Sequence, residues 1–476
     1  MYKQYIGGQL VEGQGRPMHI ANPATGEIIA TFAGATAQQA TEALDAADAA
    51  FKTWSKTPLN ERANWLLKLR EACLAERDKF IELVSAESGR PYAAACADFD
   101  WCMISFQYYA DEARRMYGVT FPHAAGTYGS MYHVVERRPI GVVVGHLAWN
   151  YPLGNAGLKI GPSVASGCAC IIKPSSETPL ATLYIGEIAA RIGFPAGVIN
   201  IVSGPSSEVA KTLNESKIPK MITLIGSSET GLQIMREAAT SVKKYSFELG
   251  GNAPVVVMDD ADLDAVAANI VAKKVGFAGQ TCVNYNRIYV HEKIYQALCA
   301  KVAEELRKVR LGKWRDEGYI MGPMINRKAR DRMFELIEDA VQKGATLVMG
   351  GEIPAGFEAG SYITPALLVD VTDDMRVSTE EIFGPVIPMQ PFKTLDEAIE
   401  KANNTIYGLS AYYFGHRAQE ISKAFEGMDA GEIFINGAYG TEQTPHAGVK
   451  QSGVGCDKSH WSLDEYYDFK YCSMIP

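Results

Sequence analysis

From Ile140 onward the chain alternates short, almost wholly apolar runs with longer mixed ones. The runs "IGVVVGHLAW", "CACIIK", "GVINIVSG" and "KMITLIG" have no polar face and read as strands, and "PLATLYIGEIAARIG" between them reads as a helix. Strands apolar on both sides predict a parallel sheet covered by helices on both faces. Sheets of that kind bind ligands at the carboxyl ends of their strands. A second alternating series begins near residue 251. Its strand candidates are "APVVVM", "RIYVH", "ATLVMG", "LSAYYFG" and "GEIFING", with helices expected over 292–309, 326–343 and 394–403. The N-terminal third is helix-rich: "TAQQATEALDAADAAFKTWSK" and "NERANWLLKLREACLAERDKFIELVSAESG" place apolar residues at helical spacing. Residues 121–139, "FPHAAGTYGSMYHVVERRP", fit neither series and read as a hairpin-like excursion. The aromatic-rich tail after Gly455 is free to pair elsewhere.

Composition narrows the function classes. A chain of 476 residues can hold two or three domains with substantial cores, and 47% hydrophobic with 21% charged residues is ordinary for a globular protein. The net charge of −9 argues against a nucleic-acid partner, which needs concentrated Lys and Arg. The opening "MYKQYIGGQLVEG" lacks the charged-then-apolar design of a signal peptide, and no apolar run approaches the roughly 20 residues that span a bilayer. Nine scattered cysteines suit a reducing cytoplasm better than a disulfide framework. Cys168 and Cys170 form a C-x-C without a second pair to complete a zinc site, and alternate strand positions explain them. The eight histidines show no ligand spacing, so no metal is expected.

Several short motifs could carry chemistry. In "GFAGQTCVNYNR" Cys282 sits in a small polar loop before a strand near Ile288. A structural cysteine prefers apolar burial, whereas a nucleophile needs access. In "YSFELGGNAPVVV" Glu248 lies at the edge of a core, where burial raises a carboxyl pKa and suits a general base. A bland alternative is pairing with Lys243 or Lys244. Asn150 in "HLAWNYPLG" follows a strand and could donate to an oxyanion, or simply sit in a turn before proline. Lys173 in "IIKPSSETP" ends a strand where a ribose or phosphate would lie; a solvated lysine is the alternative. In "TLIGSSETG", Gly226, Ser227 and Gly231 open a helix whose N–H groups could face phosphate, or form only a tight turn. Glu381 and Phe383 in "TEEIFGPVIP" fit ribose and nicotinamide contacts as well as they fit a helix cap and a core ring.

The order and spacing of these motifs are specific. Trp-Asn-aromatic-Pro, Lys-Pro, Gly-Ser-x-x-x-Gly, Glu-Leu-Gly-Gly, Gly-Gln-x-Cys and Glu-Glu-Ile-Phe-Gly-Pro follow one another as in the aldehyde dehydrogenase superfamily, which the chain resembles from "YIGGQLVEG" to "DEYYDFK". The resemblance implies an NAD(P)-dependent oxidation of an aldehyde to its acid through a cysteine thiohemiacetal and thioester. Cys282 would be the nucleophile, Asn150 with the Cys282 N–H the oxyanion hole, and Glu248 the base for hydrolysis. Lys173 would contact the adenosine ribose, Gly226 and Ser227 the pyrophosphate, Glu381 the nicotinamide ribose and Phe383 the nicotinamide, with Ser176, Gly231, Trp149 and Leu249 also along the cofactor. The glutamate favours a free acid as product over CoA acylation.

By the same resemblance the fold is α/β. A Rossmann-like NAD(P)-binding domain spans 1–120 and 140–250, a second α/β catalytic domain spans 251–455, and a small β arm of 121–139 and 456–476 makes a homodimer or homotetramer. Ser176 stands where NAD-preferring members carry Glu, so NADP is expected to be accepted. His446 in "PHAG" replaces a usual Phe, as in lactaldehyde and glycolaldehyde dehydrogenases, and Ala148 replaces a usual Pro. Leu158 stands where succinate-semialdehyde dehydrogenases carry Arg. Tyr151, Asn155, Leu158, Thr281, Val283 and His446 therefore imply a pocket for a short polar aldehyde. The alternatives are a succinate-semialdehyde-type or acylating dehydrogenase and, from a different class, a non-catalytic cofactor-binding or structural protein.

Overall fold

The computed structural model describes residues 2–122, 131–313, 316, 318 and 320–475. The apolar runs between 140 and 250 form the centre of one sheet. Ile199–Ile201, Ala169–Lys173, Val142–His146, Pro219–Ile225 and Lys244–Glu248 lie side by side in that order, all parallel. Their side chains alternate between two cores. Val143, Cys170, Ile172, Ile199 and Ile201 face one; Val142, Val144, Ala169, Ile171, Ile222 and Leu224 face the other, against Ala40, Ala43 and Leu44 of helix Ala37–Trp54. Each fully buried aliphatic side chain contributes roughly 1.5–3 kcal/mol. That is why these runs carry no polar positions.

Chain order reverses at Val142–His146. The chain first adds strands on one side of it, then returns to place Pro219–Ile225 on the other. The loops leaving these two neighbours therefore diverge, and a crevice opens between them at the carboxyl ends.

The second sheet runs Thr346–Met349, Ala366–Val369, Val386–Phe392, Arg287–His291, Pro254–Val257, Ser410–Phe414, Glu432–Ile435, and only its first pair is antiparallel. The helices expected near 292, 326 and 394 are Tyr295–Arg307, Arg327–Gln342 and Leu395–Asn403. After the second sheet the chain returns to the first, where Gly453 and Val454 pair with Glu248 and Phe247. A third, antiparallel sheet joins Val119–Pro122, Tyr132–Pro139 and Tyr467–Met474. Residues 123–130 of the expected arm lie outside the described residues.

One helix matters most for the site. Pro152–Ser166 starts on Pro152, which needs no donor partner. Its next free N–H groups, Leu153 and Gly154, donate to the buried carboxylate of Asp98 at 3.3 and 2.9 Å. Gly154 and Gly157 let it approach helix Tyr92–Ala113 closely, since a Cβ on either would come within 3 Å of Trp101 or Cys102. Asn150 is thereby held at the mouth of a rigid element.

Candidate active site

Four strand ends and two segments of the second series converge on a cleft of about 590 Å³. Trp149 and Asn150 follow the strand Val142–His146, Lys173 ends its neighbour and Ser176 follows it. Gly226 and Ser227 follow Pro219–Ile225, and Leu249 follows Lys244–Glu248. All of these line the cleft, with Cys282, Glu381 and Phe383 entering from the second series.

The loop that carries Cys282 is shaped by its neighbours. Phe277 and Ala278 have left-handed backbones, with φ of 48° and 51°. Such strain in non-glycine residues persists only where surrounding contacts over-determine it. Buried Gln280 supplies them: its amide donates to the Phe277 and Pro323 carbonyls and accepts from the Ile325 N–H. The Asn284 amide closes on the Gly279 carbonyl at 2.5 Å. Gly251 is required by this packing, because a Cβ there would sit 2.5 Å from the Cys282 carbonyl oxygen. Cys282 itself is half-buried.

Asn150 is 4% exposed. Its Nδ2 donates to the Gln280 carbonyl at 3.3 Å, and its Oδ1 accepts from Asn155 at 3.4 Å. An amide has two donor hydrogens, so one remains for a ligand oxygen. The buried guanidinium of Arg90 holds the Asn150 carbonyl and lies over the Phe277 and Tyr151 rings at 4.0 and 4.7 Å.

Glu248 ends its strand fully buried, and neither carboxylate oxygen has a hydrogen-bond partner among the described residues. Burial pushes its carboxyl well above the usual range; the charge of His446 opposes this and Asp457 adds to it. His446 Nε2 lies 3.9 Å from its Oε2. The same nitrogen lies 4.0 Å from Cys282 Sγ. Thiol and carboxylate are thus neighbours across one ring nitrogen. Lys159 and Asp457 form a buried ion pair at 2.7 Å and both act on Glu248.

The rest of the cleft suits a nucleotide. Lys173 Nζ is buried with, among the described residues, only the Pro174 carbonyl as partner, and burial lowers its pKa to about 8. A buried cation without a counter-charge is stabilised by a ligand oxygen or phosphate. Ser227 caps helix Ser228–Ala238, accepting from Thr230 N–H, so the helix start faces the cleft. Glu381 is half-buried, accepts from Gly251 N–H at 2.9 Å, and has its carboxyl raised by desolvation to about 7. Phe383, at φ 53°, meets Trp149 edge-on with ring centroids 5.3 Å apart.

Not every expected contact residue faces the cleft. Gly231 lies inside its helix, where it permits close packing on Leu249 and Phe247. Leu158 is fully buried in its helix and belongs to the core. Asn155 sits behind Asn150 and orients it. The Tyr151 ring is packed between Trp101, Phe277 and Arg90. Thr281 and Val283 flank Cys282 half-buried, and the Val283 carbonyl accepts from the Tyr412 hydroxyl. Sequence reading did not single out Arg90, Asp98, Lys159, Glu432 or Asp457. No motif marks them, not even Lys159 beside Leu158, and only the fold brings their side chains to the site.

Residues 10–472 match the aldehyde dehydrogenase family. The chain is 36% identical to a glutarate-semialdehyde dehydrogenase of Pseudomonas putida over 98% of its own length and 96% of the relative's. It is 35% identical to the succinate-semialdehyde dehydrogenase (NADP(+)) of Escherichia coli, again over 98% and 96%. The crystal structure of lactaldehyde dehydrogenase from Escherichia coli superposes with a TM-score of 0.96 at 33% identity, covering 99% of each chain.

Proposed function

The chain belongs to the aldehyde dehydrogenase family, and from that premise we propose that it oxidises a short polar aldehyde to its carboxylic acid with NAD(P), releasing the free acid. The observation that carries this reading is the meeting of a half-buried thiol, an amide with a spare hydrogen and an unpartnered carboxylate at one end of a nucleotide-sized cleft. Lys173, Ser176, Ser227 and Glu381 would hold the cofactor. When bound, it supplies the hydride acceptor.

The chain's own residues account for the remaining chemistry. Cys282 adds to the carbonyl carbon, because an aldehyde has no leaving group and must become a covalent adduct before hydride can depart. The free hydrogen of Asn150 and the Cys282 N–H stabilise the oxyanion of that adduct. Glu248 then takes a proton from the water that attacks the thioester. Asn150→Ala should lower kcat by about 10²–10³-fold with little change in cofactor affinity, as loss of one oxyanion donor does. Steady-state kinetics beside a cofactor titration checks this, and an unchanged kcat would remove Asn150 from the oxyanion hole.

Substrate size and charge follow from what lines and backs the site. Half-buried Thr281 and Val283 flank the thiol and the His446 ring faces it, a setting of small side chains and one polar ring. This favours an uncharged or hydroxylated aldehyde over the semialdehydes named for the curated relatives. A panel of short hydroxyaldehydes and semialdehydes, run with and without CoA and followed by product identification, tests the reading. Acyl-CoA as product, or turnover confined to succinate semialdehyde, would contradict it.

Cofactor choice rests on Ser176 and Lys173. Serine places no negative charge near the 2′ position, and Lys173 can neutralise a 2′-phosphate. NADP is therefore accepted. Its affinity should fall as pH rises through about 8, because Lys173 is charged below that value and neutral above it. Ser176→Glu should shift kcat/KM toward NAD by about tenfold or more, the effect of roughly 1.4 kcal/mol of repulsion. A wild-type NAD preference that survives this substitution unchanged would sink the assignment.

The domain roles follow the family. The sheet around Val142–His146 would bind the cofactor, and the second sheet would carry the nucleophile. The third sheet exposes Phe469, Tyr471 and Met474, which supports its use as a homo-oligomer interface. All nine cysteines are free, which supports a reducing cytoplasm. Among the described residues no helix is long and apolar enough to cross a membrane.

A further inference from the structure

His446 is more than a polar ring in a substrate pocket. Its Nδ1 lies 2.8 Å from Glu432 Oε1, while its Nε2 faces Cys282 Sγ at 4.0 Å and Glu248 Oε2 at 3.9 Å. The side chains of His446 and Glu432 are only 14% and 12% exposed. The ring is fixed from both sides. His446 and Asp457 exchange two backbone hydrogen bonds of 2.8 Å, and Glu432 opens the edge strand Glu432–Ile435, its N–H donating to the Leu409 carbonyl. A carboxylate on Nδ1 makes that nitrogen the N–H donor and leaves Nε2 to exchange a proton with the thiol. Nucleophile, base and a third group that orients the base are the recurring parts of an activated nucleophile.

We propose that Glu432 is a positioning residue, holding His446 so that its Nε2 takes the Cys282 proton and the resulting imidazolium stabilises the thiolate. This rests on Cys282 being the nucleophile of the reaction above. The S–H bond breaks and an N–H bond forms at Nε2. Glu432 stays ionised and balances the new positive charge, and no electrons change hands. Glu248 is left to serve the water.

The surrounding charges agree. Burial alone would lower the His446 pKa, but Glu432, Cys282 and Glu248 together hold it well above its ordinary value. Lys273 faces Glu432, the Tyr412 hydroxyl faces both Glu432 and Cys282, and Lys159 with Asp457 stands behind Glu248.

The test needs neither cofactor nor aldehyde. The rate of Cys282 alkylation by iodoacetamide, located by peptide mass spectrometry, is followed from pH 5 to 10. A cysteine beside an imidazolium ionises below its usual range. Glu432→Gln and His446→Gln should each move the midpoint upward by about one pH unit or more. Glu432→Asp should restore part of the shift, and the Glu432→Gln/His446→Gln pair should add nothing to His446→Gln alone. NADPH binding by fluorescence certifies the fold of each variant; if Glu432→Gln does not fold, His446→Gln decides. An unchanged midpoint in His446→Gln, or a Glu432→Gln midpoint equal to wild type, overturns the proposal. Aldehyde oxidation by the wild type is measured separately, so a protein that oxidises aldehydes with an unmoved midpoint keeps its function and loses only this inference.

Discussion

Cys282→Ala should oxidise aldehydes on the order of 10⁵-fold more slowly than the wild type while binding NADPH unchanged. The size follows from what is lost. Without the sulfur no covalent adduct forms, and hydride has no activated carbon to leave. The variant should also fold. The loop is held by Gln280, Asn284 and the close approach of Gly251, and none of these contacts uses the thiol. Cys299→Ala is the control. That thiol is buried beside Met389 in the second core, away from the cleft, and its loss should leave turnover intact. Stopped-flow absorbance of NADPH, with binding followed by fluorescence, reads both. Dehydrogenase turnover retained in Cys282→Ala would end the nucleophile assignment.

Glu248→Gln should separate the two halves of the reaction. The first turnover of NADPH formation should proceed near the wild-type rate, because the carboxylate is not needed for attack or hydride departure. Later turnovers should slow by about 10²–10⁴-fold as the thioester waits for water. The result is a burst equal to the concentration of active sites. The substitution is nearly isosteric, and neither Glu248 oxygen holds a hydrogen bond that glutamine would break. The main chain keeps its pairing with Ile225 and Gly453. In the wild type the hydrolytic step should rise with pH, because burial holds the Glu248 carboxyl above its usual range and only its ionised form is a base. A multiple-turnover rate equal to wild type in Glu248→Gln would remove Glu248 from hydrolysis.

Much of this was legible in the sequence because the signals are local. Short β-branched runs apolar on both faces, bounded by turn residues, fit the central strands of a covered sheet. A cysteine in a polar loop and a glutamate before Gly-Gly announce their settings within a few residues. The strand Val386–Phe392 was not legible: Pro388 and Pro391 argue against a sheet interior, yet both pair with neighbours, opposite Leu368 and Val290. Tertiary packing overrode local preference there. The second layer of the site was hidden for a related reason. Glu432 reads as an ordinary strand residue in "GEIFING", and nothing nearby shows that His446 will arrive at its carboxylate. Asp98 stands in no motif, though its carboxylate caps the helix that follows Asn150. Leu158, Asn155 and Gly231 show the converse. The resemblance placed them near a ligand, whereas helix orientation turns Leu158 and Gly231 into packing and sets Asn155 behind Asn150.

The most direct measurement is intact and peptide mass spectrometry of Glu248→Gln, quenched in acid after one turnover with NADP and a short hydroxyaldehyde. The protein should be heavier by the acyl group, with the whole increment on the Cys282 peptide and one adduct for each NADPH formed. NADPH production without an adduct, or an acyl group on any other residue, would contradict it.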